Sequence, residues 1–145
     1  MKIDVLYQFN EKYAPYAGTS ITSLFENNRH FVEIRVFILG ENLLPDSVKR
    51  LEETGKRYNR QIVFVDTKLL IQKMQAAQMP SYRGSYAANM RLFLSDLLDD
   101  SVERLLYLDA DTIVAGKLDA LVSMPMNGYP AAMVQDSLVR LHKLR

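Results

Sequence analysis

Two aspartates one residue apart, Asp109 and Asp111, stand directly after the apolar run Leu105-Leu106-Tyr107-Leu108. Carboxylates spaced in this way just past a buried strand can both turn toward one hard cation, and open α/β sheets bind ligands at the carboxyl ends of their strands. A divalent cation held there would bridge diphosphate oxygens and neutralise charge on a leaving group. The same spacing also suits a plain turn, with one aspartate capping nearby amides and the other solvated. The chain has no cysteine, which removes a thiol nucleophile, a zinc ribbon, an iron–sulfur site and a disulfide scaffold from consideration.

For the pair to sit at a strand end, the chain must alternate strands and helices, and its pattern does so. Ile3 to Gln8 is β-rich, and Tyr13, Ala17, Ile21, Leu24 and Phe25 then recur at helical spacing. Glu33 to Leu39 reads as a second strand ending at Gly40. Pro45 opens a helix with the inward stripe Val48, Leu51, Gly55 and Tyr58, and Gln61 to Val65 reads as a third strand. Leu69 to Met79 predicts a short helix and Pro80 to Gly84 a turn. Ser85 then caps a helix whose apolar face is Ala87, Met90, Leu94, Leu97 and Leu98. Arg104 to Leu108 reads as a central strand covered on both faces, Leu118 to Val122 as one helical turn and Pro130 to Val134 as a further strand. Strands separated by amphipathic helices indicate βαβ units. The fold class is therefore α/β: a mainly parallel sheet built from the strands at Ile3, Glu33, Gln61, Arg104 and Pro130, with helices on both faces.

The 145 residues carry a net charge of +1, with 48% hydrophobic and 24% charged residues, the composition of about one globular domain. A near-neutral balance argues against a nucleic-acid binder. The basic residues Lys49, Arg50, Lys56, Arg57 and Arg60 read as a solvated helix face, and the methionines between Met74 and Met90 as core filling. No apolar run approaches the ~20 residues of a transmembrane segment. Ile3 to Phe9 is interrupted by Asp4 and is too short for a signal-peptide core, so a cytoplasmic location is expected.

Two metal-using families place an aspartate pair after an apolar strand. In the haloacid-dehalogenase-like phosphatases the pair begins an Asp-x-Asp-x-Thr/Val motif near the start of the core. Here Ile113 stands at the last position and most of the chain precedes the pair. The wider pattern resembles glycosyltransferase family 8. The resembling pieces are Ile3-Asp4-Val5-Leu6-Tyr7, Asn10 to Tyr16, Ser20-Ile21-Thr22-Ser23-Leu24, Arg91-Leu92, and Leu105 through Asp109-Ala110-Asp111 to Val114, with Leu118 and Leu121 after it. Together they cover essentially the whole chain.

The resemblance implies a GT-A-like domain that binds a UDP-sugar donor. With Mn2+ (or Mg2+) it would transfer glucose or galactose to an acceptor hydroxyl, retaining the anomeric configuration. It implies Asp109 and Asp111 as the metal-binding pair, Asn10 and Tyr13 in the first loop against the nucleotide, Arg91 toward the donor, and Asp136 on donor-sugar hydroxyls. Read without the resemblance, Arg91 is a solvated helix-face cation and Asp136 a helix N-cap. The acidic triplet usual in the first loop is replaced by Asn10-Glu11-Lys12. A downstream histidine that serves the family as a third protein ligand has no match here: His30 reads as a surface residue and His142 as part of a terminal helix.

The expectation is thus the amino-terminal, nucleotide-binding part of an incomplete transferase domain, residues 1–145. The complete enzyme would be membrane-peripheral and act on a glycan, lipid-linked or protein acceptor. Met124, Met126, Met133, Leu138 and Leu141 should lack cover and allow self-association. A non-catalytic nucleotide-binding or interaction fragment is the alternative, and no residue is named as nucleophile.

Overall fold

The structure, a computed structural model, describes residues 1–82 and 84–134. Strand β1 spans Lys2–Asn10, followed by a 3-10 turn at Glu11–Tyr13 and helix α1 at Ala14–Asn27; β2 is Glu33–Glu41, α2 Pro45–Arg57, β3 Gln61–Phe64 and α3 Lys68–Ala76. The helical turns α4 (Ala87–Met90) and α5 (Leu94–Leu97) flank a 3-10 turn at Arg91–Phe93, and β4 (Leu105–Tyr107) and α6 (Asp119–Val122) complete the described elements. The strands lie in the order β3-β2-β1-β4, all parallel.

Helices cover both faces, as the near-continuous apolar strands require. On one face Val5, Tyr7, Phe9, Val36 and Ile38 pack with Ile21, Leu24 and Phe25 of α1 and Leu51 of α2. On the other, Leu6, Phe37 and Leu39 pack with Leu70 and Met74 of α3 and Met90 of α4. Gly55 lets α2 sit on β3: a Cβ there would lie 2.9 Å from Arg60 O and 3.0 Å from Ile62 Cγ1. The left-handed residue after that helix is Asn59, and the Arg60 amide donates to Gly55 O at 2.8 Å, a Schellman ending. Gln78 and the Met79 amide, which donates to Met74 O, end α3 in the same way.

Three expectations are corrected. Pro130 to Val134 forms no strand: all five residues are exposed, and apolar content makes no strand without a neighbouring ladder to receive its backbone groups. Leu105–Tyr107, expected at the centre of the sheet, forms its edge among the described residues and is only half-buried. The single helix expected from Ser85 to Leu98 is instead three short turns, with Phe93 already off helical geometry at φ −119°. The basic residues at 49, 50, 56 and 57 are exposed as expected, while Arg60 donates to Val32 O and Arg29 O. Of the residues expected to lack cover, Met124 and Met133 are exposed and Met126 is half-buried. Leu138 and Leu141 lie outside the described residues. No helix among the described residues is long and apolar enough to cross a membrane.

Candidate functional site

The chain runs from β1 outward to β2 and β3, then returns to β4 on the other flank of β1. The strand order therefore reverses between β1 and β4, and the crevice beyond the carboxyl ends of these two strands is where an open sheet receives a ligand. Asn10 ends β1 there, and Asp109 and Asp111 follow β4. Both aspartates are exposed, while Ala110 between them is buried in the α1 face of the sheet.

Two groups hold the aspartate turn. The Tyr107 hydroxyl donates to Asp109 Oδ1 at 2.9 Å, and the Arg91 guanidinium carbon lies 5.5 Å from the centre of the Tyr107 ring. Burial, reinforced by the Asp109 carboxylate, pushes the Tyr107 phenol up to about 12, so it stays a donor. On the opposite face, Thr112 Oγ1 donates to Asp109 O at 2.7 Å and lies 3.4 Å from Ser20 Oγ, which is 2.9 Å from the Tyr7 hydroxyl. Helix α1 then clasps the chain beyond the pair. The Val114 amide donates to Ser23 Oγ, Asn27 Nδ2 to Val114 O, and the Leu118 amide to Asn28 Oδ1, all within 2.8–2.9 Å.

The β1 end is held by two glutamates. Glu11 accepts from the Leu44 amide and from Ser47 Oγ, tying the first loop to the start of α2. Buried Glu41 accepts from Ser85 Oγ and from the Tyr86 amide, fixing the start of α4 to the end of β2. Ser85, expected to cap a helix, also accepts from the Ala87 amide at 3.1 Å. Tyr13 is partly exposed with its ring 5.8 Å from that of Tyr16, and Arg91 is exposed on the 3-10 turn after α4. Asn10, Asp109 and Asp111 thus share one edge of the sheet, and Arg91 reaches it through Tyr107. Asp136 and His142 lie outside the described residues. His30 is on the surface as expected and pairs with Asp119 of α6 at 2.8 Å.

Among the described residues, no three His, Cys, Asp or Glu side chains are grouped so as to hold a metal ion. Two buried side-chain oxygens at this edge have no hydrogen-bond partner: Gln8 Oε1 and Asn10 Oδ1. Sequence reasoning passed over Gln8, Glu41, Tyr107 and the Ser23, Asn27 and Asn28 clasp. The sequence offers only a weak signal for Gln8, a polar residue among the apolar Val5, Leu6, Tyr7 and Phe9 of β1.

The family model described as Glycosyl transferase family 8 matches residues 4–144. The chain belongs to that family. This glycosyltransferase family 8 chain is 28% identical over 131 residues to General stress protein A of Bacillus subtilis (strain 168), covering 88% of this chain and 44% of that protein. It is 29% identical over 134 residues to Lipopolysaccharide 1,2-glucosyltransferase of Escherichia coli (strain K12), covering 92% and 38%. The chain therefore spans less than half the length of these two relatives. The galactosyltransferase LgtC, solved in complex with donor and acceptor sugar analogues, superposes with a TM-score of 0.71 at 21% identity, covering 86% of this chain and 43% of that one. That likeness establishes the GT-A fold of the family 8 chain.

Proposed function

We propose that residues 1–145 are the nucleotide-sugar-binding part of a transferase that moves a hexose from a UDP-sugar to an acceptor hydroxyl, metal-dependently and with retention of configuration. The observation that carries this reading is the position of Asp109 and Asp111 beyond β4, where the strand order reverses beside Asn10. Two carboxylates are a fitting protein contribution to Mn2+ or Mg2+, because hard cations of this kind fill their remaining positions with phosphate oxygens and water. An all-oxygen set does not choose between the two metals. When bound, the cation would offset the charge of the departing diphosphate.

The chain's own residues have separable tasks in this reading. Tyr107 orients Asp109, and Arg91 adds positive charge on the same side. Asn10 and Tyr13 receive the nucleoside, and Asp136 binds sugar hydroxyls. Relatives named as a glucosyltransferase and a galactosyltransferase favour a hexose donor, and the name of the first favours a lipopolysaccharide-type glycan acceptor over a lipid-linked or protein one. The exposed Tyr129, Met133 and Val134 favour self-association, and the site is proposed to work in the cytoplasm at the membrane periphery.

The test is release of UDP from UDP-glucose and UDP-galactose with Mn2+. Slow, metal-dependent release that Asp111→Asn abolishes supports the reading. UDP binding without release favours a non-catalytic nucleotide-binding part, and neither binding nor release overturns both.

A further inference from the structure

Resting on the donor reading above, we infer that Gln8, through its unpartnered side-chain oxygen, accepts a hydrogen bond from the nucleoside of the UDP-sugar. Side chains alternate along a strand, so Gln8 and Asn10 share the face of β1 that Leu6 presents to α3 and α4. In β4 the residue paired with Leu6 is Tyr107. Carrying that register forward two residues sets Gln8 beside Asp109, and the Leu108 amide, donating to Leu6 O at 3.0 Å, holds the chain alongside β1 at this point. On the other side Gln8 pairs with buried Leu39 of β2. Gln8 thus stands between apolar Leu39 and Asp109.

Gln8 is 9% exposed, and its Oε1 is buried without a partner. A buried acceptor left unmade destabilises the free chain, so such groups are rare and call for a physical reason. Asn10 Oδ1, on the same face two residues on and so about 6.6 Å further along the strand, is orphaned in the same way. Both atoms are acceptors, so what they lack is a donor. Diphosphate oxygens carry none, and a cation at the exposed carboxylates is already offered charged oxygens. The nucleoside carries donors of two kinds, the base N–H and the ribose hydroxyls, and either satisfies the amide oxygen.

The test uses this chain, wild type and Gln8→Met, with UDP, N3-methyl-UDP and 2′-deoxy-UDP in the presence of Mn2+. Gln8→Met keeps the length of the side chain and removes the orphan. Its melting temperature without nucleotide should therefore rise by about 3 °C, while its UDP affinity falls about tenfold, the worth of one hydrogen bond. Wild type should lose affinity for one analogue, and that loss should disappear in Gln8→Met. If the N3-methyl compound is the one, the base N–H is the donor; if the 2′-deoxy compound, the ribose hydroxyl. A lower melting temperature in Gln8→Met means that the amide is a structural contact and overturns the inference. So does unchanged UDP binding in Gln8→Met while wild type binds UDP, an outcome that leaves the donor reading standing. If wild type binds no nucleotide at all, donor reading and inference fall together.

Discussion

The Tyr107 hydroxyl and Asp109 Oδ1 are 2.9 Å apart, so the last residue of β4 aims the first carboxylate of the pair. A ligating carboxylate whose second oxygen is held by a neighbouring donor keeps its orientation before the cation arrives. Tyr107→Phe keeps the ring beside Arg91 and removes only the donor. Its Mn2+-dependent UDP affinity should fall about tenfold, with circular dichroism unchanged. Equal affinities in isothermal titration would show that Asp109 needs no such help.

Alkaline pH should ionise two phenols held above their ordinary range, buried Tyr7 and half-buried Tyr107. Tyr7 is pushed up to about 12 by burial, which outweighs the hydrogen bond to Ser20, and Tyr107 is raised to about 12 as well. A group whose folded pKa lies above its unfolded value holds its proton longer in the native chain. The stability it contributes is complete below pH 10 and is lost as pH climbs from 10 through 12. For fully buried Tyr7 the slope is about 1.4 kcal/mol per pH unit in that window. Urea midpoints measured from pH 9 to 11.5 should fall steeply, and less steeply in Tyr7→Phe; parallel slopes would contradict this.

At the amino end of the sheet Arg35 donates twice to Asp4, at 2.6 and 2.7 Å, and a third time to Ser101 Oγ at 3.0 Å. Asp4 is 6% exposed, so removing its partner strands a buried carboxylate. Arg35→Met should cost about 3 kcal/mol of stability. Adding Asp4→Leu should recover most of that, since an apolar pair removes the stranded charge. Nucleotide binding by the folded fraction should be unaffected, because the pair lies at the far end of β1.

Asn28 is buried and serves three backbone groups: its Nδ2 donates to Leu24 O and Gly116 O, and its Oδ1 accepts from the Leu118 amide. Asn28→Ala leaves groups of the clasp unpaired, at about 1–3 kcal/mol each where they stay buried. Hydrogen exchange should accelerate over residues 112–118 before it does so in β1 or β2. Uniform acceleration across the sheet would mean that Asn28 supports the whole core instead of this segment.

The parts of the fold legible in the sequence are those written locally. Short β-rich apolar runs located β1, β2 and β3, Pro45 fixed the start of α2, and the run before Asp109 located β4 with the aspartates beyond it. What escaped depends on partners distant in the chain. Glu41 meets Ser85 and Tyr86, Ser23 meets Val114, and Asn28 meets Leu118; no spacing rule links such positions. The expected strand at Pro130 failed for the same reason, since a strand exists only with a neighbour beside it. The 85–98 helix failed on backbone geometry, where three short turns replace one regular helix and set Arg91 at the Tyr107 ring.

The most direct test of the central claim is thermal unfolding of this chain with UDP, with Mn2+, and with both, beside Asp109→Asn. A ligand present at 100 times its dissociation constant stabilises by about 2.7 kcal/mol, a rise of several degrees for a chain of this size. The account predicts that the full rise needs both ligands and is absent from Asp109→Asn. A rise with UDP alone that survives in Asp109→Asn, or no rise under any condition, would contradict it.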